Sequence, residues 1–196
     1  MLLKMYISLM PTIFTGILTM IWCKLPILAA LNIPIDKEKR LSDGKRLFGQ
    51  NKTWKGLLGY LLLGAVSSIV WGALCQSLPY LEARNYFYVY QQNTFSFNLA
   101  TGLLLGLAYA LFELPNSFLK RRLAIEEGKT ASRGRLKKAF FIFLDQADSL
   151  FGCVLVLACF YPMTPIFYLS YVLISAGTHL LLNILLYLAH LRRNIF

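Results

Sequence analysis

Five long apolar runs alternate with polar stretches along this chain. Residues 5–31, 56–78, 97–114, 139–161 and 166–190 are each dominated by Leu, Ile, Val, Phe and Ala. About 20 mostly apolar residues carry a helix across the hydrocarbon core of a bilayer, so the pattern predicts five transmembrane helices. Lys24 and Pro26 blur the end of the first run, and the third is short for a span. Pro162-Met163-Thr164-Pro165 makes the connection between the fourth and fifth very tight. No repeat or low-complexity stretch divides the chain, so residues 1–196 are expected to form one transmembrane domain. A cleaved leader would need a short unbroken apolar core. Pro11 interrupts the first run and Lys24 falls late in it, so that run is read as a span.

Composition strengthens this reading. The chain is 57% hydrophobic and 15% charged, against about 45–50% and about 25% for a soluble domain. The fold class is therefore an all-α integral membrane protein. Its net charge of +11 is concentrated in two loops. One carries Lys37, Lys39, Arg40, Lys45, Arg46, Lys52 and Lys55; the other carries Lys120, Arg121, Arg122, Lys129, Arg133, Arg135, Lys137 and Lys138. The tail adds Arg192 and Arg193, while the opposite side has only Lys4 and Arg84. By the positive-inside rule both basic loops and the C-terminus face the cytoplasm and the N-terminus lies outside. The expected location is the cell (inner) membrane.

The basic loops lack interleaved aromatic residues and lie against a bilayer, so no nucleic-acid partner is expected; attraction to anionic headgroups accounts for much of the charge. Cys23, Cys75, Cys153 and Cys159 sit in apolar segments without a Cys-x-x-Cys spacing and read as small apolar fillers. The outer stretch "LEARNYFYVYQQNTFSF" is aromatic-rich and is expected to lie at the membrane interface as an anchoring belt.

Three of the nine acidic residues fall inside the apolar runs: Glu113, Asp145 and Asp148. The other six, Asp36, Glu38, Asp43, Glu82, Glu126 and Glu127, fall in loops and are read as solvated. An Asp at the centre of a spanning helix is unfavourable by about 2.5–3.5 kcal/mol, so each buried acid asks for a partner. Asp145 and Asp148 share one side of a helix, and two like charges that close need a cation or proton between them. Without His or Cys nearby, an all-oxygen site of Glu113, Asp145 and Asp148 suits Mg²⁺. The plainer reading pairs the aspartates with Lys137, Lys138 or Arg122.

Glu113, Ser117 and Lys120 follow a four-then-three spacing along one helix face, with Arg121 beside them. Pro115 either interrupts that helix or starts a new one. In the first loop, "DGKRLFGQNKTWKG" offers Gly44 and Gly49 for turns, Lys52 and Lys55 for phosphate charge, and a hydroxyl on Thr53. Trp54 is placed to stack on a base or to anchor at the interface. The glycine spacing of a Walker loop is absent. Ser175, His179 and Asn183 form a stripe read as polar helix packing.

Together these blocks resemble the CDP-archaeol synthase family, relatives of the membrane phosphatidate cytidylyltransferases. The resemblance rests on "DGKRLFGQNKTWKG", on "SFLKRRL" at 117–123 with its Ser-x-x-Lys-Arg element, on "DQADSLFG" at 145–152, and on "HLLLNILLY" at 179–187. It implies CMP transfer from CTP to a membrane glycerol-phosphate lipid, ether- or ester-linked, with loss of pyrophosphate. It also implies Mg²⁺ on Asp145 and Asp148 with Glu113 as a further ligand, and phosphates held by Lys52, Ser117, Lys120 and Arg121. Thr53, Trp54, Lys55, Arg46 and Arg122 complete the expected substrate-binding set; a homodimer is left open. The family's usual Asp is Glu113 here, Ala124 stands where Gly is common, and Gln50-Asn51 replaces a frequent acidic residue. Two other readings are a small transporter using intramembrane carboxylates and a non-enzymatic adaptor.

Overall fold

The computed structural model describes residues 1–127, 129 and 134–188. The expected role-free His190 and the cations Arg133, Arg192 and Arg193 lie outside the described residues. Helices α1 (Leu2–Lys24), α2 (Trp54–Ser77), a four-residue α3 (Pro79–Glu82), α4 (Phe95–Arg122), α5 (Arg135–Phe160) and α6 (Pro165–Leu188) follow in order. Five of them, all but α3, are long and apolar enough to cross a membrane. The predicted number of spans is therefore met.

The third span differs from its predicted end. Pro115 lacks the N–H that would bond the carbonyl of Leu111, yet α4 runs through it for 28 residues to Arg122. Apolar counting stopped at Leu114 because the last two turns are polar. Helix continuity is what carries Ser117, Lys120 and Arg121 on the same rod as Glu113.

Small residues set the bundle's tightest seam. A Cβ on Gly64 would stand 2.5 Å from the Gly102 carbonyl oxygen, and one on Gly106 would stand 2.1 Å from the Tyr60 carbonyl oxygen. Gly102 and Gly106 are the Gly-x-x-x-Gly pair that lets helix backbones touch in a bilayer. This seam joins α2 to α4 and fixes Tyr60 relative to Glu113. Gly106→Val should therefore destabilise the fold by about 3 kcal/mol, the upper range for overpacking. The check is loss of a monodisperse peak in size-exclusion chromatography together with a lowered unfolding temperature.

Elsewhere the helices are tied by buried polar contacts. The Trp71 indole donates to the Ile7 carbonyl at 2.9 Å, and the Tyr171 hydroxyl donates to the Met5 carbonyl at 2.7 Å. The aromatic outer loop is not a surface belt throughout. Tyr86 and Phe87 are buried, Tyr86 packs on Tyr161 and Phe167, and its N–H donates to Ser8 Oγ. A buried aromatic cluster gains more from packing than from the interface.

The first basic loop folds around an acid that was expected to be solvated. Asp36 is 7% exposed. It accepts from the Arg46 guanidinium at 2.8 Å and from the backbone N–H groups of Glu38, Phe48 and Gly49. Burial pushes the Asp36 carboxyl up, but these donors outweigh it and hold the group below its ordinary value. Gly49 adopts φ +140°, and a Cβ there would press on Glu127 at 3.2 Å. Two ties then place Lys52: Ile35 N–H donates to its carbonyl, and Trp54 N–H donates to that of Ile33.

Candidate active site

A cavity of about 670 Å³ opens among α1, α2, α4, α5, α6 and the first loop. Its polar part gathers Lys52, Thr53, Glu113, Ser117, Lys120, Arg121, Asp145 and Asp148. These residues come from three separate stretches of sequence and were all predicted as site residues. The apolar part is lined by Ile13, Ile17, Met20, Tyr109 and Leu182.

The charges inside are arranged in pairs. Glu113 accepts from Lys52 Nζ through Oε2 and from the Tyr60 hydroxyl through Oε1 at 2.9 Å. Burial lowers the affinity of Lys52 for its proton, and the Glu113 carboxylate more than reverses this, so its pKa is held above the ordinary value. On the next side Lys120 Nζ lies 2.6 Å from Asp145. Asp148 is different: it accepts from Asn116 Nδ2 at 2.7 Å and from the Ser149 N–H at 2.6 Å. Among the described residues no lysine or arginine forms an ion pair with it. Asn116 Nδ2 also donates to Asp145 at 2.8 Å, so one amide nitrogen bridges both aspartates.

Four predicted substrate-binding residues do not line this cavity. The Lys55 ammonium donates to the Cys23 and Leu25 carbonyls at the end of α1, where a cation satisfies the helix's terminal acceptors. Arg122 grips both carboxylate oxygens of Asp43 at 2.6 Å and donates to the Lys45 and Arg46 carbonyls, sewing α4 to the first loop. Arg46 supports Asp36, and a second, smaller cavity brings it beside Arg121 and Glu127. Trp54 is exposed. Thr53 lines the main cavity, but its hydroxyl caps α2 by accepting from the Gly56 N–H at 3.1 Å.

Known proteins bear on this arrangement directly. A family model described as CarS-like CDP-archaeol synthase matches residues 5–196. The chain belongs to the CDP-archaeol synthase family. The CDP-archaeol synthase of Methanoculleus marisnigri is 33% identical over 66% of this chain and 65% of its own length. That of Methanocaldococcus jannaschii is 32% identical over 79% of this chain and 78% of its own. That of Archaeoglobus fulgidus is 29% identical, covering 90% of this chain and 96% of its own. A solved structure described as an intramembrane enzyme for archaeal membrane lipid biosynthesis superposes with a TM-score of 0.56 at 27% identity. It covers 88% of this chain and 92% of that one.

For this CDP-archaeol synthase family member, the three carboxylates expected to hold a metal, Glu113, Asp145 and Asp148, all line the cavity. Among the described residues no three His, Cys, Asp or Glu are gathered into a ready-made cluster, and Glu113 is engaged by Lys52 and Tyr60. The donor chemistry at the aspartates still fits a hard divalent cation. Two carboxylates face a common atom, and among the described residues one of them forms no ion pair and the buried Asn116 oxygen accepts no hydrogen bond. Sequence reasoning missed Asn116 because Pro115-Asn116-Ser117 reads as a turn. Its place three residues after Glu113 and four before Lys120 would have revealed it on a continuous helix. Gln146 was also missed. Its amide oxygen accepts from Asn183 at 2.7 Å, and its carbonyl lies 3.3 Å from His179 Nδ1, as expected for a packing stripe.

Proposed function

We propose that this cytidylyltransferase of the CDP-archaeol synthase family moves CMP from CTP to a membrane glycerol-phosphate lipid, with Mg²⁺ held at Asp145 and Asp148. As a family member it uses CTP; the ether-linked archaeal type is the lipid to test first. The observation that carries the reading is the placement of two aspartates and the cations Lys52, Lys120 and Arg121 around one cavity that also has an apolar stretch at Leu9, Ile13, Ile17, Met20 and Leu182. A phosphate-bearing head and a lipid chain call for those two linings together.

The reaction forms a bond between a lipid-phosphate oxygen and the α-phosphorus of CTP and breaks the α–β phosphoanhydride bond, releasing pyrophosphate. The lipid phosphate is an anion at neutral pH, so no strong base is needed and the work is alignment and charge neutralisation. Lys120 and Arg121, one helical step apart on α4, serve as phosphate donors, with the Ser117 hydroxyl one turn before them. Lys52 reaches the same space from the first loop, held there by Glu113. When bound, Mg²⁺ supplies Lewis-acid neutralisation of the phosphate oxygens. The site faces the cytoplasm in this reading, where CTP is found and where the basic loops favour the anionic leaflet. Grouping of the three acids within the spans, Glu113, Asp145 and Asp148, in one cavity with basic-loop residues supports a surface active site over a transport pathway through the bilayer.

Purified protein in detergent should release pyrophosphate only when CTP, Mg²⁺ and a lipid phosphate are all present. ATP in place of CTP should give little or none. Release without lipid, or equal release with ATP, would sink this assignment.

A further inference from the structure

We propose that Asn116 is a two-state residue of the cation site. Its amide nitrogen braces Asp145 and Asp148 when no cation is bound, and its amide oxygen becomes a ligand when one is. This rests on the reading that the aspartates hold a divalent cation, and it deepens that reading by naming a donor outside the carboxylates.

The geometry leads there in three steps. Asn116 Nδ2 stands 2.8 Å from Asp145 and 2.7 Å from Asp148, so both of its hydrogens are used on two like charges. The other end of the same amide, Oδ1, is buried and accepts nothing, although the residue is only 6% exposed. A primary amide is nearly symmetric in shape, and a half-turn about its Cβ–Cγ bond exchanges a double donor for an acceptor with two lone pairs. Between the two carboxylates a divalent cation repels the N–H groups and attracts the oxygen. One rotation therefore relieves the repulsion and gives the buried oxygen a partner.

The third oxygen then comes from α4, three residues beyond Glu113, which Lys52 and Tyr60 keep occupied. A set of two carboxylates and one amide oxygen is hard and small. It leaves room for the waters and phosphate oxygens that a magnesium ion retains.

Mn²⁺ alone, without CTP or lipid, is the probe, with free Mn²⁺ counted by electron paramagnetic resonance over full-length protein in detergent. Wild type should bind it, Asp148→Asn should bind it far more weakly, and Asn116→Ala should lose tenfold or more in affinity. Asn116→Cys, close in size, gives a direct reading with Cd²⁺ in a chain whose Cys23, Cys75, Cys153 and Cys159 are replaced by Ala: contact between residue 116 and the ion should add a thiolate-to-cadmium charge-transfer band absent from the same chain with Asn116. Asn116→Ala binding Mn²⁺ as tightly as wild type or more tightly would show that Asn116 is only a brace between carboxylates. Folded Asn116→Cys that takes up Cd²⁺ without the band would overturn the proposal in the same way. Either result leaves the aspartate site standing. Wild type that binds no Mn²⁺ would overturn the metal reading and this inference with it.

Discussion

Asp148→Asn should lower the rate of pyrophosphate release by at least about a thousandfold, as expected for loss of a charge that acts on the transferring phosphoryl group. The same substitution should leave the metal-free protein as stable as wild type or more so. Asp148 is a half-buried carboxylate held by neutral donors, with Asp145 as a like-charged neighbour across Asn116. Removing its charge at nearly constant volume relieves that repulsion, a gain of about 1 kcal/mol or about 2–4 °C for a chain of this size. Thermal unfolding followed by tryptophan fluorescence, paired with the pyrophosphate assay, reads both effects. Activity within tenfold of wild type would remove Asp148 from the site. A large fall in stability would mean that the carboxylate is structural.

The second large effect concerns Lys52. Lys52→Met leaves the half-buried Glu113 with only the Tyr60 hydroxyl for support, a loss of about 2–3 kcal/mol, below the range for a fully buried pair broken from one side. Turnover should fall by about a hundredfold or more, since the donor aimed at the cavity is lost as well. The double variant Lys52→Met/Glu113→Gln separates the two roles. Its unfolding temperature should return most of the way toward wild type, because no unpaired charge remains, while its turnover stays low. Recovery of turnover with stability would make Lys52 a partner for Glu113 and nothing more.

How much of this was legible beforehand depended on the distance over which each feature is decided. The number of spans and the oddity of Glu113, Asp145 and Asp148 follow from local hydropathy, and both carried through to the structure. Pairings across the chain did not. Lys52 and Glu113 are 61 positions apart, and nothing in either neighbourhood announces the other. Asp36 looked like an ordinary loop acid because its four donors are assembled only when residues 36–49 close on themselves. The contacts of Lys55 and Arg122 were hidden too, because a cation tying down a carbonyl has the same sequence appearance as one awaiting an anion. The Gly102–Gly106 spacing is a local signal of close helix contact in a bilayer that went unread.

That glycine seam has a mechanical consequence. Where two backbones touch at Gly64, Gly102 and Gly106 there are no side chains to repack, so α2 and α4 behave as a single stiff plate. The plate carries Tyr60, Glu113, Asn116 and Lys120. Helix α1 is bolted to it as well, through Trp71 on the Ile7 carbonyl and Lys55 on the Cys23 and Leu25 carbonyls. On the proposed function, room for a long lipid tail then has to come from α6, which meets α1 at Tyr171 and lines the cavity at Leu182. The site would thus have a rigid floor for the reacting phosphates and a single movable rail for the tail.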